Sequence, residues 1–233
     1  MKNKTLKQFI KLLARWNLKD YLIFFLLIPS IILIIYKLPP SIKQSYFALN
    51  TRNPTIPTMF LSNYTELFLQ LLEGNLIIYL LTIFFIFLTE TDKKLFYTTA
   101  IAIFLIIPFF SSAITIYLYP NKISTGFSAI VSAFMGYLIY SYARLIFSYA
   151  RLIFSNFSKK FSNSISLLVA ILIFAIIVVF SLRIIIPSKI YFDGGQIDVY
   201  SHYFSWWFGL LFPATIQFIC LLKANFMKQS SSA

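Results

Sequence analysis

Six stretches of about 16 to 24 residues, nearly free of charge and separated by polar turns, restrict this chain to one solvent. About twenty apolar residues in a helix match the thickness of a bilayer's hydrocarbon core. Inside lipid, backbone N–H and C=O groups can bond only to one another, so each stretch must be helical. The expected spans are Tyr21–Tyr36, Leu67–Leu88, Leu95–Leu118, Gly126 to Tyr142 or beyond, Ile165–Leu182 and Val199–Leu222. With 59% hydrophobic and only 12% charged residues, the chain departs from soluble domains, where about a quarter of residues are charged. The fold class that follows is an all-α polytopic membrane bundle of six transmembrane helices. It divides into a basic cytoplasmic segment (1–20), a six-span membrane domain (21–223) and a short cytoplasmic tail (224–233). No small-residue cleavage site follows the first apolar run, so no cleaved signal peptide is expected.

The net charge of +13 raises the question of nucleic acid, and topology answers it. With the N-terminus in the cytoplasm, fourteen basic residues fall inside and six outside (Lys37, Lys43, Arg52, Lys122, Arg183 and Lys189). That is the positive-inside bias, which needs no nucleic-acid partner. A perfect tandem repeat, Ser141–Phe147 followed by Ser148–Phe154, adds about two helical turns to the fourth span. It is expected to leave Arg144 and Arg151 snorkelling at the cytoplasmic surface. One cysteine (Cys220) and one histidine (His202) exclude a disulfide framework and His- or Cys-rich metal clusters. No cofactor or metal is expected.

Polar residues inside a bilayer are functional candidates by default, and Asn75, Ser128 and His202 share one depth. The second, fourth and sixth spans run in the same direction. Each residue lies eight or nine positions past its span's polar boundary (Glu66, Pro120 and Asp193), on the order of 10 Å below the outer surface. Ser128, Ser132 and Gly136 form a small-residue stripe, as do His202, Ser205 and Gly209. Such stripes let helix backbones approach closely in lipid, which sets Ser128 opposite His202. An imidazole with an ordinary pKa of roughly 6.5 can take a serine proton during attack on a carbonyl. The oxyanion then needs preorganised donors, for which the Ser128 N–H and the Asn75 amide are candidates. Asp198, one turn before His202, reads as a solvated residue at the helix start or as a third triad member. Glu73 is open between snorkelling, pairing and proton binding, whereas Trp206 and Trp207 read as packing or lipid-facing residues.

The segment Gly126-Phe-Ser128-Ala-Ile-Val-Ser-Ala-Phe-Met-Gly136-Tyr137 resembles the signature of rhomboid serine proteases, a Gly-x-Ser nucleophile before a Met-Gly-Tyr-like run. His202-x-x-Ser205-x-x-x-Gly209 is similar to that family's His-x-x-Gly-x-x-x-Gly, and Leu71-Leu-Glu-Gly-Asn75 to the segment ending in its oxyanion asparagine. The resemblance covers about thirty residues in sequence and most of the chain in architecture. It implies a rhomboid-like six-span fold in the plasma membrane, with both termini cytoplasmic. It further implies a Ser128–His202 dyad, Asn75 as oxyanion donor, transmembrane protein substrates and no cofactor. Leu71 stands where the family has a second oxyanion histidine, Ala129 replaces a glycine, and Ser132 replaces an aromatic residue. The family's Trp-Arg motif in the first outer loop is not recognisable. The alternatives are a rhomboid-like protein that binds membrane clients without cutting them, and a small transporter relaying protons through Glu73 and His202.

Overall fold

Chain segments that cannot trade backbone hydrogen bonds with solvent close those bonds within themselves, and long helices dominate the fold. The computed structural model describes residues 14–155 and 198–230, with 175, 178–179, 191–192 and 195–196 between them. Among these, five helices are long and apolar enough to cross a membrane. They are α1 (Leu18–Tyr36), α2 (Leu69–Thr89), α3 (Lys93–Leu118), α4 (Ser128–Ser155) and α5 (Val199–Ser230). Of the expected fifth span, Ile165–Leu182, only residues 175, 178 and 179 are described, so its course lies outside the described residues, as do Lys2, Lys4, Lys7 and Lys11. As expected, α4 continues through the tandem repeat; one departure concerns length, since α5 continues to Ser230 and takes up most of the expected tail.

α4 is the centre of the bundle. Buried residues make up 61% of its membrane segment, against 22–33% in the other four, and it packs on α2, α3 and α5. Its Ile130, Phe134 and Tyr137, with Phe127 just before it, form one core with Tyr79 and Ile83 of α2 and Phe96 and Ile103 of α3. The outward faces are apolar too: Ile77, Leu81 and Phe85 on α2, Leu105 and Phe109 on α3, and Leu211 and Phe218 on α5 are all exposed. Apolar residues both inside and out mark a helical bundle built for lipid.

Below the bundle, buried polar groups pin the helix ends. The Trp16 indole N–H donates to the Phe87 carbonyl at 2.7 Å, one of the last carbonyls of α2, which have no partner within the helix. Glu90 is buried and accepts from the N–H groups of Thr91 and Asp92 at 2.7 Å each and from Tyr137 Oη at 2.9 Å. Arg144 completes the set by pairing with Glu90. This corrects the expectation that Arg144 snorkels: a buried carboxylate requires a cation, and α4 places this guanidinium within reach. The side chain of Arg151 lies outside the described residues.

Above the bundle, the first loop folds onto α3 and the start of α4. Its strand β1 (Leu49–Asn50) pairs antiparallel with β2 (Ile123–Ser124), just before Ser128. Thr51 Oγ1 accepts from the Lys122 N–H at 2.8 Å and lies 2.8 Å from the Tyr119 carbonyl. Pro108 lies inside α3 and has no N–H, so the Phe104 carbonyl lacks its usual helical donor. The Tyr64 hydroxyl donates to that carbonyl instead, and Asn63 Nδ2 donates to the Pro108 carbonyl at 3.1 Å. Tyr64→Phe therefore strands a carbonyl inside the bundle. It is expected to lower unfolding stability in detergent by about 1–3 kcal/mol, whereas Tyr46→Phe, on an exposed side chain, is expected to leave it unchanged.

Candidate active site

Ser128 is the first residue of α4, so its N–H is among the helix donors with no intrahelical partner. The chain reaches it through Gly126, whose φ of 158° disfavours any side chain. A Cβ at Gly126 would also stand 3.2 Å from Ser128 Oγ. The Gly126 N–H donates to the Ser62 carbonyl at 2.9 Å, fixing the turn to the first loop. A glycine two residues before the serine thus serves both conformation and space.

His202 lies in the first turn of α5, and its Nε2 stands 2.6 Å from Ser128 Oγ. Both residues are half-buried, which leaves them open to a shared cavity. The contact depends on how closely α4 and α5 approach. A Cβ added to Gly209 would stand 1.8 Å from the Ala133 carbonyl oxygen, and one added to Gly136 would stand 2.0 Å from that of Trp206. At both points helix backbone meets helix backbone. Ser205 is fully buried at this seam and its Oγ has no hydrogen-bond partner; Ser132 is buried facing the cavity. Trp206 packs inside, while Trp207 is exposed.

Asp198 is half-buried at the helix start, where its carboxylate is hydrogen-bonded. Its Oδ1 accepts from the Ser201 N–H at 3.0 Å as the α5 N-cap, and its Oδ2 accepts from Thr115 Oγ1 at 2.5 Å. These bonds commit its carboxylate to the helix terminus and to α3, and its role is to fix where α5 begins. Glu73 is exposed on the outside of α2 and does not line the cavity.

The cavity has a volume of about 480 Å³ and is lined by Ser128, His202, Asn75, Glu66, Leu71 and Gly74, among others. Leu71 contributes an apolar side chain to its wall. The carboxyl of Glu66 belongs to the site, which the chain's pattern does not suggest. Glu66 Oε1 accepts from Asn75 Nδ2 at 2.6 Å and from the Phe127 N–H at 2.9 Å, with the residue only 1% exposed. In sequence Glu66 reads as the polar boundary of the second span, and only the folding back of the loop buries it.

Burial pushes the Glu66 carboxyl up to about 7, against the opposing pull of its two N–H donors. A carboxyl raised in the folded state stabilises the protein below its ordinary value of 4.5, and that stability is lost as pH rises through 7. Glu66→Gln removes this titration while Asp198, His202 and Lys122 around the cavity remain. Relative to wild type, the variant should gain on the order of 3 kcal/mol between pH 4.5 and 8. Thermal unfolding in detergent across that range measures the difference.

No protein-family model, no curated protein and no solved structure matches this chain. The functional reading therefore rests on the geometry of the site and on the residues that form it.

Proposed function

We propose that this protein is a rhomboid-type intramembrane serine protease that cleaves transmembrane segments of other proteins. Ser128 is the nucleophile, His202 the general base, and Asn75 with the Ser128 N–H the oxyanion donors. The observation that carries the reading is the 2.6 Å contact between Ser128 Oγ and His202 Nε2 in a cavity at one end of apolar helices. A serine at a helix N-terminus, held against the only histidine of the chain, has the parts needed for acyl transfer.

In the reaction, His202 Nε2 takes the Ser128 proton as Oγ bonds to the scissile carbonyl carbon. The carbonyl oxygen becomes an anion and is held by N–H donors. When the C–N bond breaks, His202 returns the proton to the leaving amine, and the acyl group remains on Ser128 as an ester. A water molecule then attacks the ester and gives its proton to His202. Breakdown of the second tetrahedral species releases the acid, and the proton returns to Ser128. The charge bias supports cytoplasmic termini and a cavity near the outer face of the plasma membrane, where water is at hand. Glu73 is exposed and does not line the cavity that holds His202, which disfavours a proton relay between the two.

The test is cleavage of a broad panel of single-span substrates by purified protein. Wild type is expected to cut at least one, with no cutting by His202→Ala. Cleavage that persists at the wild-type rate in His202→Ala would rule out the base. A wild type that binds panel members without cutting any would replace the protease reading with client binding.

A further inference from the structure

We propose that Glu66 is a positioning residue for this reaction, its Oε1 holding the Asn75 amide and the peptide before Ser128 in register across α2 and α4. The inference rests on the protease reading and adds to it a group outside the dyad. Glu66 Oε1 accepts two N–H groups from separate parts of the fold: Asn75 Nδ2 of α2 at 2.6 Å, and the N–H of Phe127, the residue just before α4, at 2.9 Å. One acceptor atom therefore couples a candidate oxyanion donor to the backbone that carries the nucleophile. Glu66 Oε1 and Ser128 Oγ both lie within 4 Å of the point a Cβ on Gly126 would occupy, so the clamp adjoins the reacting oxygen.

The chemistry of the amide explains what the clamp does. An asparagine side chain is nearly symmetric in shape and turns either its oxygen or its nitrogen towards a site. An oxygen facing a developing oxyanion would repel it. A carboxyl oxygen on Nδ2 selects the nitrogen end, occupies one of its two N–H bonds and leaves the second to the cavity that Asn75 lines. Positioning by a neighbour in this way resembles what outer-shell partners do for metal-bound histidines. Oε1 accepts whether the carboxyl is ionised or protonated, because a protonated carboxyl keeps one carbonyl oxygen.

Three variants test the proposal. Glu66→Leu removes the acceptor and is expected to lower kcat by about 10²-fold with KM within about twofold, the signature of lost oxyanion stabilisation. Glu66→Gln keeps a carbonyl oxygen at that position and is expected to stay within about fivefold of wild type. Once Asn75→Ala has removed the clamped amide, adding Glu66→Leu is expected to cost at most a further few-fold, since the two act as one unit. Equal loss in Glu66→Gln and Glu66→Leu, or full multiplication in the double variant, would overturn the proposal.

A measurement independent of activity accompanies them. In protein labelled with ¹⁵N-asparagine, the Asn75 side-chain pair is the one that Asn75→Ala removes. It is expected to move in Glu66→Leu and to hold its place in Glu66→Gln. If it does not move in Glu66→Leu, the clamp is refuted even in an active enzyme. If wild type proves inactive on every substrate, the protease reading fails, and the amide resonances still decide whether Glu66 positions Asn75.

Discussion

Ser128→Ala is expected to reduce substrate cleavage by on the order of 10⁴-fold or more, and His202→Ala by a similar factor. The double variant should be no worse than either single one. Nucleophile and base act as a unit, and once either is missing the other contributes nothing to the bond-breaking step. Stability should change little in Ser128→Ala, because Ser128 is half-buried at a cavity wall and loses one hydrogen bond of about 1 kcal/mol. Rates of cleavage for the two single variants and the double, measured beside their unfolding in detergent, check both statements. Multiplying losses would mean that Ser128 and His202 serve separate purposes.

Gly209→Ala should have the second-largest effect, although it touches neither reacting group. The added methyl would stand 1.8 Å from the Ala133 carbonyl oxygen and 2.7 Å from its carbon, and both are backbone atoms that cannot rotate away. The only relief is for α5 to move off α4. Forcing apart a packed seam costs about 1–3 kcal/mol and sometimes more. It also separates His202, two turns away on the same helix, from Ser128. Displacement by about 1 Å at a reacting centre lowers rates by about 10²-fold, so activity and stability should fall together. Gly74→Ala is the control: nothing beyond its own stretch of helix lies within 4 Å of its added Cβ, and its stability should stay within about 1 kcal/mol of wild type. A Gly209→Ala protein as stable as wild type would show that the two helices are not in backbone contact there.

The features legible in the sequence are those that lipid imposes. A bilayer demands runs of about twenty apolar residues, and α2, α3 and the starts of α4 and α5 fall close to the expected bounds. The α4–α5 contact was legible for a related reason. Helices that gain nothing by hiding apolar surface from lipid associate through small residues, and Gly136 and Gly209 mark points where backbone meets backbone. What escaped the sequence depends on pairs far apart in the chain. Glu66 meets Phe127 only because the first loop folds back over α4, and Glu90 meets Arg144 only because α2 and α4 are neighbours. Neither pairing leaves a periodic trace, so Glu66 read as a boundary and Arg144 as a surface cation. Asp198 was legible in part. An aspartate three residues before Ser201 is an N-cap pattern, but its second partner, Thr115, comes from another helix.

The most direct test of a Ser128 nucleophile needs no substrate. Intact wild-type protein is treated with a fluorophosphonate, weighed by mass spectrometry and digested to locate the adduct. One adduct on Ser128 is expected, with none on the Ser128→Ala protein and labelling by His202→Ala slowed by on the order of 10³-fold or more. Wild type that gains no mass under conditions where a known serine hydrolase reacts fully, or an adduct on a different serine, would contradict the reading.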